Sequence, residues 1–288
     1  MRLIVGINSD IGRAIKNYWD EMGVAHHGST RYQELATSTR PYIDLTDDIH
    51  LDASNHYSAA VICAGVGRLE ICRQDPIGTR KINIEGTLRL ARYLCDRGTR
   101  VIFLSTDKVY DGSKQYRNPD EPVSPITEYG RQKAEVEKSI TKLSAGVVLR
   151  IAKVVYPEQG LLSEWIEKLR DGKKISPFSD MWFSPVSMQM ICKIMDELIQ
   201  REAKGIWHAS SQEDITYEIA ARHIASCLGA DQQLIQPYSF VNNHRVSPNE
   251  APRYTTLDMQ KTANIGITAP NPIDTIHQTM CVANKIIE

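Results

Sequence analysis

The chain has 288 residues, 42% hydrophobic and 24% charged, with a formal net charge of -1 at pH 7. That length holds one large domain or a main domain with a smaller lobe, and the composition is that of an ordinary globular core. Near-neutrality excludes a broad electrostatic footprint for nucleic acid, and no basic run is long enough to mark a membrane patch, so small molecules are the expected partners.

Six cysteines (Cys63, Cys72, Cys95, Cys192, Cys227 and Cys281) are scattered without a C-x-x-C pair. This reads as reduced thiols in a cytoplasmic protein and favours neither a zinc site nor a disulfide frame. The apolar start MRLIVG is too short for a signal segment and runs into a glycine turn, so it reads as the first strand. No segment is long and apolar enough to span a bilayer.

In chain order, residues 2–6 predict a strand. Residues 11–22 predict a helix, with Ile11, Ala14, Ile15, Tyr18, Trp19 and Met22 at the spacing of one apolar face. Residues 24–27 predict a second strand, 42–45 a short third and 59–64 a fourth. A long helix over 76–97 precedes a fifth strand over 100–105, then a helix over 129–143 and a sixth strand over 146–151. Such alternation predicts an α/β fold with a parallel sheet wrapped by helices and ligands at the carboxyl ends of the strands.

The first strand-to-helix turn, Gly6-Ile-Asn-Ser-Asp-Ile-Gly12, is where a dinucleotide pyrophosphate would meet a helix N-terminus, a role for Gly6, Asn8, Ser9, Asp10, Ile11 and Gly12. The usual fingerprint has a middle glycine where Ser9 stands, so Ser9 either narrows the site or offers a hydroxyl to phosphate. After the second strand an NAD site would carry an acidic residue, but the chain has His26, His27, Gly28, Ser29, Thr30 and Arg31. Arg31 is a candidate for a 2′-phosphate, which favours NADP(H) over NAD(H). The two histidines read as strand-end residues, and no metal is expected.

Residues 101–133 carry the candidate chemistry. A buried-strand pattern ends in Ser105 and Thr106, and a helix start after Pro125 carries Tyr129 and Lys133. On a helix these two share a face. A neighbouring ammonium favours the phenolate, which suits Tyr129 to general-acid work, and a threonine hydroxyl at a strand end can bond the same carbonyl oxygen. Tyr110 and Lys114 match the same spacing, but Asp111-Gly112 between them is turn chemistry.

Together these pieces resemble the extended short-chain dehydrogenase/reductase superfamily, more closely its dTDP-4-dehydrorhamnose reductase family. The matching segments are VGINSDIG (5–12), TR (30–31), DLTD (44–47), INIEGT (82–87), STDKVYDG (105–112), EYGRQKAEVE (128–137), LRIAKVVY (149–156), SDMWFSPV (179–186) and PRYTTLD (252–258). The resemblance implies a Rossmann-like, doubly wound domain over 1–150. Residues 151–288 would form a smaller substrate lobe, with some segments returning to the first domain. It implies hydride transfer from NADPH to a keto group on a nucleotide-linked sugar. Catalysis would fall to Thr106, Tyr129 and Lys133. Asp44, Leu45, Ala64, Gly65, Val66 and Ser105 would lie along the cofactor, with Asn83 in support, and Asp107, Lys108, Val109, Lys153, Trp182 and Arg253 would face the sugar.

The chain departs from the family at Lys108, where an aromatic residue is usual, and at Lys153, where a tryptophan is usual. Two ammonium groups there point to an anionic substrate or to lysines that reach solvent. Two other functions compete: a nucleotide-sugar dehydratase or epimerase, since STDK also looks like inverting dehydratases, and a non-catalytic subunit like the regulatory subunit of methionine adenosyltransferase. Oligomeric state stays open, a homodimer being common for such folds.

Overall fold

A computed structural model describes residues 1–52, 54–156, 159–240 and 253–285. Pro252, at the head of the PRYTTLD segment, lies outside the described residues. The chain divides into two compact units. The first comprises Met1–Val109, Pro122–Arg150 and Cys192–Trp207; the second comprises Tyr110–Glu121, Ile151–Ile191 and the stretch from His208 onward.

A six-stranded sheet is built from β1 (Arg2–Val5), β2 (His26–Gly28), β3 (Ala59–Ile62), β4 (Arg100–Thr106), β5 (Gly146–Ile151) and β9 (Gly205–Ala209), in the order β2-β1-β3-β4-β5-β9. β1 pairs in parallel with both β2 and β3, and β3 with β4. The strands are buried on both faces, as a helix-covered parallel sheet requires. Leu3, Val5, Ala60, Ile62, Val101, Phe103 and Val148 form one core with Leu88, Leu90, Ala91 and Leu94 of α4 (Thr87–Cys95) and Val136 and Ile140 of α5 (Glu128–Ile140). By alternation Ile4, Val61 and Ile102 face the other side. There, Trp19 of α1 (Asp10–Glu21) donates its indole N–H to Asp196 of α7 (Met188–Gln200) at 3.0 Å, and Asp196 also pairs with Arg2.

Two elements differ from the sequence expectation. The short strand over 42–45 is a single parallel bridge between Thr30 and Tyr42. The chain turns away at Asp44, whose carboxylate accepts from the Thr46 N–H at 2.8 Å and hydroxyl at 2.7 Å, so a local turn outcompetes the ladder. The long helix over 76–97 is three pieces: α3 (Pro76–Arg80), a π-helical segment at Lys81–Gly86, and α4. It is preceded by a short helix, α2 (Leu69–Gln74), which the sequence pattern did not suggest.

In the second unit β6 (Lys153–Val155) pairs in parallel with β8 (Pro185–Ser187), and β7 (Trp182–Phe183) pairs antiparallel with β10 (Ile215–Thr216). Its core joins Trp165, Ile166 and Leu169 of α6 (Leu161–Arg170) to Ala221 and Ile224 of α8 (Tyr217–Leu228) and Ile276 of α10 (Pro272–Lys285). A short helix, α9 (Gln260–Ala263), precedes α10. No helix among the described residues is long and apolar enough to cross a membrane.

Candidate active site

The chain leaves β1 for β2 on one side and takes up β3 on the other, so the turns after β1 and β3 flank a topological switch point, the usual ligand crevice of such sheets. Both turn glycines are required. Gly6 has φ +85°, and a Cβ there would stand 2.9 Å from the Ala64 nitrogen; one on Gly12 would stand 2.3 Å from the Gly6 carbonyl oxygen. Ser9 is the N-cap of α1, accepting from the Gly12 N–H at 3.0 Å and donating its only proton to the Gly6 carbonyl at 2.8 Å. In this geometry the hydroxyl closes the turn. An anion is then left the first-turn N–H groups of Asp10 and Ile11, while the Asp10 carboxylate is answered by Arg13 at 2.6 Å. The residues present fit a pyrophosphate bound chiefly by backbone.

Arg31 is exposed, and its guanidinium bonds the Tyr32 hydroxyl at 2.9 Å, which raises its already high pKa. A second arginine stands nearer the turn: Arg40 reaches the Asn8 side-chain oxygen at 3.4 Å and, with Arg13, Lys16 and His26, helps line a cavity of about 520 Å³ beside Asn8 and Gly28. Arg40 Nε is buried with no hydrogen-bond partner. Leu45 is buried, and its carbonyl accepts from Arg89 at 2.9 Å, which pins the DLTD segment to α4.

The turn after β3, Ala64-Gly65-Val66, is held by Asn83 from the π-helical segment. The Asn83 side-chain oxygen accepts from the Val66 N–H at 2.7 Å, and its amide donates to the Val66 carbonyl at 3.0 Å and to Gln132 at 2.8 Å. Gln132, fully buried, continues to Thr79 at 2.9 Å and Glu128 at 3.0 Å. The extra residue of a π-helical turn aims a side chain off the regular helical rows, a frequent device at functional sites.

At the end of β4 the local sequence brings the candidate catalytic residues together. Thr127 caps α5 by accepting from the Gly130 N–H at 3.1 Å. Gly130 lies so close to the turn after Thr106 that a Cβ would sit 2.1 Å from the Lys108 carbonyl oxygen. This contact docks the start of α5, and with it Tyr129, onto that turn. One turn further on, Lys133 donates to the Leu104 carbonyl at 2.8 Å, with its Nζ 5.7 Å from the Tyr129 ring centroid and 4.4 Å from that of Phe103. Burial pushes the Lys133 ammonium down to about 8, against the opposing charge of Glu137.

Ser105 donates to Glu137, which also forms a buried ion pair with Arg150 at 2.7 Å. Thr106 donates to Asp107 at 2.8 Å and accepts from the Lys108 N–H at 3.2 Å, and Lys108 Nζ lies 3.8 Å from the Asp107 carboxylate. The positive charge expected at Lys108 therefore has a local counter-charge. Val109 is fully buried and its carbonyl accepts from the Ser124 N–H, so it packs within the first unit. Lys153, Trp182 and Arg253 belong to the second unit. All three are exposed there; Lys153 and Trp182 lie in β6 and β7, and Arg253 has its guanidinium 5.3 Å from the Tyr254 ring centroid.

Sequence reasoning missed Gly130, Gln132, Glu137 and Arg40. The role of Gly130 rests on a tertiary contact, whereas Gln132 and Glu137 lie three residues after Tyr129 and four after Lys133, a helical register that was a usable signal. Arg40 had none, since its place depends on the path of the loop.

The family description "RmlD substrate binding domain" matches residues 1–282. A dTDP-4-keto-6-deoxy-D-glucose reductase of Streptomyces niveus is 28% identical over 247 residues, covering 82% of this chain and 84% of that one. The methionine adenosyltransferase 2 subunit beta of Pongo abelii is 24% identical over 301 residues, covering 94% and 84%. The crystal structure of a dTDP-4-dehydrorhamnose reductase from Bacillus anthracis in complex with NADP superposes with a TM-score of 0.82 at 16% identity, covering 97% of this chain and 98% of that one. With its Rossmann-like sheet and a match over nearly its whole length, the chain belongs to the RmlD substrate-binding-domain family.

Proposed function

We propose that the protein is an NADPH-dependent reductase of a keto group on a nucleotide-linked sugar, acting in the biosynthesis of glycans or deoxysugars. The observation that carries this reading is the placement of Lys133: a half-buried lysine whose ammonium bonds the carbonyl of Leu104 beside the Tyr129 ring, on a helix docked by Gly130 against the turn after Thr106. The dinucleotide, when bound, supplies the hydride. Tyr129 donates the proton to the substrate oxygen, and the Lys133 charge favours the phenolate left behind. Thr106 assists by turning its hydroxyl from Asp107 to the same oxygen. The N–H groups of Asp10 and Ile11 hold the pyrophosphate, and the Asn83-pinned turn at Ala64–Val66 lies along the cofactor. Names of relatives, among them the Streptomyces reductase, support the substrate class.

NADP(H) is preferred in this reading because Arg31 and Arg40 supply positive charge on the segment after β2, where an acidic residue would serve NAD. Arg31→Ala and Arg40→Ala should each lower the ratio of kcat/KM for NADPH over NADH; a wild type that prefers NADH sinks the preference. With Lys108 facing Asp107, an anionic sugar is recognised only if substrate binding draws that lysine away.

The deciding experiment incubates the protein with NADPH and a panel of 4-keto nucleotide sugars while following the absorbance of the reduced cofactor. Stoichiometric oxidation supports the reductase. A second reading rests on the Asp107–Lys108 contact beside Thr106, an acid-base pair of the kind an elimination uses. Sugar dehydration with no net cofactor consumption would favour it. Absence of turnover with any sugar would favour a non-catalytic subunit.

A further inference from the structure

Helices α8 and α10 of the second unit bury Ala220, Ala221, Ile224 and Ala225 on one and Ile276 and Met280 on the other in a shared core. At the rim of that core each helix carries a histidine and a cysteine one turn apart: His223 and Cys227 on α8, His277 and Cys281 on α10. Residues four apart share a helical face, so each helix presents its pair on one side. The Cys227 sulfur lies 3.4 Å from His223 Nε2 and 3.5 Å from His277 Nδ1, and the ligating atoms of these three residues all fall within 4.8 Å of one another.

These separations match metal geometry. Zinc–sulfur bonds of about 2.3 Å and zinc–nitrogen bonds of about 2.0 to 2.1 Å at a tetrahedral angle put sulfur and nitrogen about 3.5 Å apart. The thiol can donate to one ring nitrogen and accept from the other, and the same convergence of one sulfur and two imidazole nitrogens is the donor set of a metal site. We infer that His223, Cys227 and His277 form a three-residue zinc site that staples α10 to α8, with the fourth tetrahedral position left to a water molecule. Cys227 is exposed, so an ion can enter, and a thiolate with two imidazoles selects zinc over calcium or magnesium.

The inference is independent of the reductase reading. Its test uses reduced, tag-free, full-length protein titrated with Co²⁺ and then with Zn²⁺ in competition, together with metal analysis and thermal melting. One metal per chain is expected, with the charge-transfer and intense visible bands of tetrahedral cobalt thiolate. Zinc should displace the cobalt and raise the Tm, and Mg²⁺ should do neither. Cys227→Ser should lose the charge-transfer band and weaken zinc binding by more than about 100-fold while NADPH binding is unchanged, which shows the variant is folded. Cys281→Ser, outside the three-residue cluster, should keep both the charge-transfer band and the zinc affinity. Octahedral cobalt spectra, a thiolate band that persists in Cys227→Ser, a wild-type Tm unmoved by zinc, or a Cys227–Cys281 disulfide in a protein whose reduced form takes up no metal would each overturn the site.

Discussion

The turns after β1 and β4 end in the same kind of side chain and use it in opposite ways. Ser9 is bonded twice to backbone: it donates to the Gly6 carbonyl and accepts from the Gly12 N–H. Backbone partners in a rigid turn do not move, so this hydroxyl is committed to holding the turn shut. Thr106 gives its proton to the Asp107 carboxylate, which Lys108 also faces. A partner that can trade one hydrogen bond for another leaves Thr106 free to turn to a substrate oxygen. In the proposed reaction the difference separates a hydroxyl that holds a turn from one that would assist at the substrate oxygen.

The largest expected effect lies on the β4 side. Tyr129→Phe removes the proposed proton donor and keeps the ring, so kcat should fall by about 100- to 10,000-fold with NADPH affinity retained. Near-wild-type turnover in the purified variant would remove Tyr129 from the chemistry.

Thr106→Val should follow, with kcat lower by about 100- to 1,000-fold, the usual loss on deleting one donor to a reacting oxygen. A variant that lost stability and not rate would put Thr106 in the same class as Ser9, and the contrast between the two turns would collapse.

Lys133 sharpens the comparison through pH. Its folded pKa of about 8 lies below the unfolded value of about 10.4, so between these limits the unfolded chain binds more protons and stability rises with pH. Activity that needs the ammonium should move the other way, declining as pH passes about 8. Melting curves and kcat/KM measured across that window should therefore have opposite slopes, and Lys133→Met should flatten the stability rise. Parallel slopes would mean that the charge of Lys133 does not serve the reaction.

The smallest effect belongs to the β1 turn. Ser9→Ala should cost about 0.5 to 2 kcal/mol in urea unfolding, the range for a lost helix cap, and should shift NADPH affinity only as far as the turn loosens. If instead affinity collapses at unchanged stability, the Ser9 hydroxyl serves phosphate and the assignment to capping is wrong.

The alternation of apolar runs and helical faces sufficed to place β1, β3, β4, β5, α1 and α5 and the parallel character of the sheet, because strand and helix periods are local properties of the chain. Tyr129 and Lys133 were legible for the same reason: a four-residue spacing on a capped helix is geometry the sequence itself states. What tertiary structure decided depended on where one segment passes another. Nothing local announces that Gly130 must lie against the Lys108 carbonyl, that Asn83 leaves the regular helical rows to pin Val66, or that Arg40 comes back to Asn8 from a loop. The strand expected at 42–45 failed because one Asx turn at Asp44 outweighed a weak β pattern. His223, Cys227 and His277 carry no contiguous motif, since the α8 pair and His277 are about fifty residues apart and meet only where the two helices bury their apolar faces in one core.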